Sequence, residues 1–215
     1  MSHVPDLALP YQPFSYEGAV SPFIVLEGVS GIGKSTLTKL LVKRLGATGI
    51  HTLPKPHTDW SKTANARLRP LPQLAFYLSG VLHTSDSIRQ TRQMGPVVAD
   101  RYVSSVIACH AAVHRVGVHH VSQLLEPFLP YLLCPTSTFY LRCSEETLKE
   151  RLAGKPERTL DDIDLINVPE RLERLLDNFT AVADRDPTAV WVDTDGKTAE
   201  DLCGWIADRV EKAHA

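Results

Sequence analysis

Residues 25–36 read VLEGVSGIGKST, and few segments restrict a fold so tightly. An apolar run gives way to Gly28, Gly31 and Gly33, then to one lysine, Lys34, and two hydroxyls, Ser35 and Thr36. Residues 28–35 match GxxxxGK[ST] without a gap, with a strand expected before them and a helix after. The glycines let the backbone turn so that successive N–H groups face inward. Together with the positive end of the helix, those groups form an anion nest. Gly28, Ser30, Gly31, Ile32 and Gly33 make the cradle, with Thr36 just inside the helix. Lys34 can reach the β- and γ-phosphates of a nucleotide, and the Ser35 hydroxyl can ligate Mg²⁺. The bland alternative is a glycine-rich turn that binds nothing. A cradle does not by itself separate a kinase from an ATPase or a GTPase. The GTPase reading suffers because no NKxD-type guanine-reading segment is present.

The remainder of the chain alternates strands and helices. Strands are expected at 23–27, 50–53, 97–100, 137–141 and 189–192. Helices are expected at 33–45, 73–93, in two pieces over 103–131, from Ser144, at 168–184 and at 198–213. Leu37, Leu40, Leu41 and Leu45 form one stripe. Leu74, Tyr77, Leu78, Val81, Leu82 and Ile88 form another. Pro54 and Pro56 predict an irregular segment through Trp60, and 153–165 reads as a polar connection. The alternation implies a five-stranded parallel sheet with helices on both faces, a three-layer α/β sandwich whose ligands bind beyond the carboxyl ends of the strands. Residues 1–20, with Pro5, Pro10 and Pro13, read as an irregular arm, either partly disordered or packed on the body through Tyr11 and Phe14. Residues 21–215 read as one domain.

Bulk properties exclude little. The net charge of -2 gives no reason to propose nucleic acid or an acidic membrane as partner. No run approaches the length of a membrane span, and 1–16 lacks the basic start and apolar stretch of a leader. Cys109, Cys134, Cys143 and Cys203 form no CxxC pair. They read as reduced core fillers in a cytoplasmic protein.

A second motif follows the strand at 97–99: DRYVSS at 100–105, with Ala108 beyond it. Together with EGVSGIGKST at 27–36, it resembles the EGxDGxGKST and DRYxxSxxA motifs of the thymidylate kinase family. Residues 140–152 are similar to that family's fourth strand and following helix, so the likeness covers about residues 22–213. The resemblance implies a P-loop nucleoside monophosphate kinase, usually dimeric, that uses ATP and Mg²⁺ and closes a mobile lid. It implies that Asp100 helps hold the metal and that Arg101 touches the acceptor phosphate, with Ser105 beside it. Lid cations are available in Arg151, Lys155 and Arg158; Arg158 is favoured, then Arg151.

The acceptor side departs from that family. Ser30 stands where the family has an acid that contacts the sugar 3′-hydroxyl. Gly80 stands where its FxAxR segment carries an arginine that reads thymine. Cys109 and His110 replace Tyr-Gln. A pocket built to pair hydrogen bonds with one substrate rejects analogues strongly, so these changes argue against thymidylate as the natural acceptor. The segment PKPHTDW at 54–60 has the proline and tryptophan of deoxynucleoside kinases, with Lys55 in place of their basic glutamate. Lys55 tilts the reading toward an anionic acceptor; Asp59 is the base if the acceptor is an alcohol. Trp60 and Phe76 could stack on a planar acceptor, and His110 could contact it. His110, His114, His119 and His120 are grouped without a carboxylate or cysteine partner for a metal. Trp191 and Trp205 read as core.

The sequence thus predicts an ATP- and Mg²⁺-dependent phosphotransferase acting on a small, anionic or nucleotide-like acceptor, a cytoplasmic homodimer. A kinase of a nucleoside, sugar or antibiotic hydroxyl and a regulatory nucleotide-binding protein are the rivals.

Overall fold

A computed structural model describes residues 8, 11–16, 20–155 and 160–214. Five strands, β1 (Phe23–Glu27), β2 (Thr48–His51), β3 (Val97–Asp100), β4 (Ser137–Arg142) and β5 (Ala189–Asp193), form one parallel sheet in the order β2-β3-β1-β4-β5. The helices are α1 (Lys34–Leu45), α2 (His57–Arg67), α3 (Pro70–Thr91), α4 (Val103–His114), α5 (Val118–Leu125), α6 (Glu145–Ala153), α7 (Leu160–Asn167), α8 (Arg171–Ala183) and α9 (Ala199–His214). A 3-10 turn, Glu126–Tyr131, follows α5. This is the five-stranded parallel sheet expected from the alternation. β1 is central and all five of its residues are buried, as a strand covered on both faces requires. Helix α1 packs with α9, while α4 packs with α3, α5 and α8.

Parallel register decides which chain ends meet. Leu26 lies beside Asp100 and Glu27 beside Tyr140, so the loop after β1 and the turn after β3 emerge side by side. Gly46, at φ 58°, ends α1 in the left-handed conformation, and β2 starts two residues later. That places β2 two residues earlier than expected. Helix α6 opens as its sequence predicts, with Ser144 Oγ accepting from Thr147 N–H at 3.3 Å.

Other expectations shift for identifiable reasons. Residues 57–67 are helical rather than irregular. Proline is well tolerated at a helix start, and only Ala64 of α2 is buried, so no apolar stripe marked it. Part of the stretch read as a polar connection is α7. Trp191 is only partly covered because β5 is an edge strand. Trp205 is 47% exposed because it lies off the α9 stripe of Leu202, Cys203, Ile206, Ala207 and Val210. Cys203 is buried but Cys134 is exposed. Most of the N-terminal arm lies outside the described residues; Tyr11 and Phe14, which are described, are exposed rather than packed. Among the described residues no helix is long and apolar enough to cross a membrane.

The loop after β1 is held tightly from below. Gly31 has φ +84°, and a Cβ there would lie 2.5 Å from Leu152 Cδ2, in the core. Gly31→Ala is expected to destabilise the protein by about 2 kcal/mol, from backbone strain and overpacking together. Gly33→Ala, at φ +104° but with open space around it, should cost less. Urea denaturation of both variants checks the order.

Candidate active site

The loop joining β1 to α1 turns through positive φ at Gly28 and Gly33, and among the described residues no side chain caps α1. Its first-turn amides are left for an anion. Lys34 is buried, and its Nζ donates to the carbonyls of Gly28 at 2.9 Å and Val29 at 2.7 Å. Burial, followed by the nearby Arg101 cation, lowers its pKa from 10.5 to about 7, against the pull of Asp100 and Glu27. Ser35 and Thr36 are exposed at the start of α1, and Ile32 is buried beneath the loop.

Ser35 Oγ donates to Asp100 Oδ2 at 2.6 Å, which joins the helix start to the end of β3. A hydroxyl and a carboxylate at one point are hard oxygen donors that fit Mg²⁺. This ion is commonly held by one or two protein oxygens, with phosphates and water completing its shell. Among the described residues no three His, Cys, Asp or Glu side chains gather into a metal-binding group, the histidines at 110–120 included.

Arg101 has φ +73°, a rare conformation for a non-glycine residue, and its N–H donates to Leu26 O at 3.0 Å. Its Nη1 donates to Gly28 O at 3.1 Å and to Ser105 Oγ at 3.0 Å. Beneath it lies Glu27, fully buried at the end of β1. Glu27 Oε1 accepts from the N–H groups of Tyr102 at 2.8 Å and Ser105 at 3.1 Å, and Oε2 accepts from Ser105 Oγ at 2.5 Å. Burial raises the Glu27 pKa, opposed by the Ser105 hydrogen bond and by Arg101. Ser105 therefore braces Arg101 and is itself buried. The functional weight of Glu27 was missed, although a carboxylate inside an apolar strand was a readable signal.

The remaining candidates do not converge on one point. Arg151 Nη1 donates to Ile32 O at 3.1 Å and Thr194 Oγ1 at 2.8 Å, and its Nη2 to Thr194 O at 3.1 Å; the guanidinium ties the loop to the segment after β5. Arg158 lies outside the described residues. Lys55 and Asp59 face each other at 4.0 Å, with 83% and 55% of their side chains exposed, and Trp60 is 63% exposed. Phe76 is partly buried, its ring centroid 5.4 Å from that of His57. Ser30 Oγ donates to Asp162 on α7 at 2.5 Å.

Chain-wide similarity agrees with this geometry. The family model "Thymidylate kinase" matches residues 26–199. A probable thymidylate kinase from Natronomonas pharaonis is 31% identical over 166 residues, 72% of this chain and 83% of its own length. The Chlamydia felis thymidylate kinase is 29% identical over 157 residues, 62% of this chain and 76% of its own. The solved thymidylate kinase of Candida albicans superposes with a TM-score of 0.74 over 93% of this chain and 96% of its own, at 19% identity. This chain belongs to the thymidylate kinase family. It is a kinase of the nucleoside monophosphate kinase type.

In this thymidylate kinase-like chain, Gly80 and His110, two positions that depart from the family motifs, both have close side-chain neighbours. A Cβ at Gly80 would meet Leu53 Cδ2 at 2.5 Å and His57 Cδ2 at 3.4 Å, so these two side chains fill the space beside it. His57 Nε2 pairs with Ser79 Oγ at 2.9 Å. His110 lies against His114, with ring centroids 4.4 Å apart, and burial followed by His114 lowers its pKa to about 4. His114 Nε2 meets Gln73 Oε1 at 2.5 Å, Gln73 Nε2 donates to Asn65 Oδ1 at 3.0 Å, and Tyr77 Oη donates to the same oxygen at 2.8 Å. His57 had no place among the sequence candidates, because only the fold sets it against Gly80.

The lowered pKa of Lys34 has a measurable sign. Between about pH 7 and 10.5 the unfolded chain carries this proton and the folded chain does not, so the contribution of Lys34 to stability rises with pH across that window. A polyphosphate needs the ammonium and restores the proton. Binding of ATP–Mg²⁺ at pH 8.5 is therefore expected to take up about one proton and to weaken as pH rises above 7. Calorimetry in buffers of different ionisation enthalpy reads the uptake directly. A buffer-independent heat would contradict this electrostatic picture.

Proposed function

We propose that this protein moves the γ-phosphoryl group of ATP to a nucleotide or another small anionic acceptor that is not thymidylate. The observation that carries the reading is Arg101. Its backbone is held in a strained conformation and its guanidinium is clamped between Gly28 O and Ser105 Oγ at the mouth of the cradle. A strained, braced cation beside a phosphate cradle supports a role in holding an acceptor's charge for transfer.

In this reading the amides of residues 28–33 grip the donor phosphates. Lys34 turns from the loop carbonyls to the β- and γ-phosphates, and Arg101 holds the acceptor anion in line. Ser35 and Asp100 hold Mg²⁺, which when bound would neutralise charge on the transferring group. Phosphoryl transfer needs positioning and charge cancellation more than covalent chemistry, which suits a site with few polar side chains. The domain would span 21–215, with a lid at about 153–165. A cytoplasmic homodimer completes the proposal. Exposed Leu124, Phe128 and Leu129 offer the apolar surface for that contact.

The pairing of Lys55 with Asp59 weakens two sequence arguments at once. Each screens the other in solvent, so neither the lysine as acceptor grip nor the aspartate as base gains support. The test is ADP release over a panel of nucleoside monophosphates, nucleosides and amino-sugar or nucleoside antibiotics. Release is expected to rise with a nucleoside monophosphate other than thymidylate. Arg101→Ala should lower kcat/KM by about 10²–10³-fold, while Asp59→Asn keeps turnover near that of the unmodified protein. A large loss in Asp59→Asn, with activity confined to nucleosides or antibiotics, would favour a hydroxyl kinase. ATP turnover that is flat across the panel would favour a regulatory nucleotide-binding protein.

A further inference from the structure

Three separate elements meet at one buried carboxylate. Asp162, on α7, accepts from Ser30 Oγ through Oδ1 at 2.5 Å and from Lys155 Nζ through Oδ2 at 2.6 Å. Its side chain is 0% exposed, while that of Lys155, just beyond α6, is 34% exposed. Carboxylates are seldom fully buried unless paired and hydrogen-bonded. Lifting α7 from the loop would break the bond from Ser30 Oγ to Asp162. Docked and undocked positions of α7 therefore differ by this charge-assisted bond.

The location gives these bonds a role. Ser30 belongs to the phosphate loop, where an uncompensated negative charge would repel a polyphosphate. Lys155, held on Asp162, cancels that charge and leaves a partly open ammonium at the cradle rim. Arg151 is less available for this task, since its guanidinium already spans Ile32 O, Thr194 O and Thr194 Oγ1.

We propose that Asp162 is a positioning residue for the donor phosphates: it clasps α7 to the loop through Ser30 and aims Lys155 at the bound polyphosphate. This rests on the reading of the loop as an ATP cradle. Coupling is reciprocal, so ATP must favour docked α7 by the same factor by which docking favours ATP.

The test uses the full chain, with ATP–Mg²⁺ affinity measured by calorimetry and amide hydrogen exchange followed over 160–167 with and without ATP. In the unmodified protein ATP should slow exchange there. Asp162→Asn and Ser30→Ala should each weaken ATP by about tenfold and abolish the slowing. Ser30→Asp alone sets two carboxylates against each other and should bind ATP worst of all. The transposed pair S30D/D162S should recover most of the affinity, which a merely structural role for Asp162 would not produce. Unchanged affinity and slowing in Asp162→Asn, or a transposed pair no tighter than S30D, overturns the clasp while leaving the cradle intact. If the unmodified protein does not retain ATP, the cradle reading falls and the clasp with it.

Discussion

Glu27 is the only carboxylate in β1, and it is sealed from water at the strand's end. It must find donors in place, because an unpaired buried carboxylate is among the costliest groups a core can hold. The donors come from the turn after β3: two backbone N–H groups and the Ser105 hydroxyl. Satisfying Glu27 therefore forces that turn against the phosphate loop. The left-handed backbone at Arg101, its grip on Gly28 O and the pairing of Ser35 with Asp100 all occur where these two segments are held together. Strain at one residue persists because a buried charge over-determines its surroundings.

The same compactness sets the electrostatics. Lys34 and Arg101 share a small volume with Glu27 and Asp100, and Lys34 has little water to solvate its charge. Burial, followed by Arg101, lowers the Lys34 pKa, so its ammonium would gain from a nearby anion. Ion pairs that lie in solvent, such as Lys55 with Asp59, make no comparable demand.

The side chains around Gly80 follow another logic. Where a long cationic side chain would need room, Leu53 and His57 crowd Gly80, and the neighbouring histidines are held toward the neutral form. Burial followed by His83 lowers the pKa of His57, and burial followed by Arg171 lowers that of His114. Among the described residues, Nδ1 of His57 and of His110 is buried without a hydrogen-bond partner. On the proposed function, imidazoles and amides placed here would read an acceptor by hydrogen bonds, which discriminate strongly when a partner is lost.

The phosphate loop, the DRY turn and the strand–helix alternation were legible in the sequence because each is a local rule. Glycines allow positive φ, a lysine follows at fixed spacing, and apolar runs of four or five residues need cover on both faces. Helix α2 escaped notice because only its Ala64 is buried and its side-chain bonds run to α3, and α7 because its buried Asp162 is paired with Ser30 and Lys155. The sequence by itself determined that a glycine-rich loop with its lysine lies beside a second cation at the carboxyl edge of a parallel sheet. Only the tertiary structure decided that Glu27 braces that cation, that His57 fills the space at Gly80, and that Asp162 reaches Ser30 from 132 residues away. Those contacts join segments remote in the chain, and no local spacing encodes which buried donor will meet which buried acceptor.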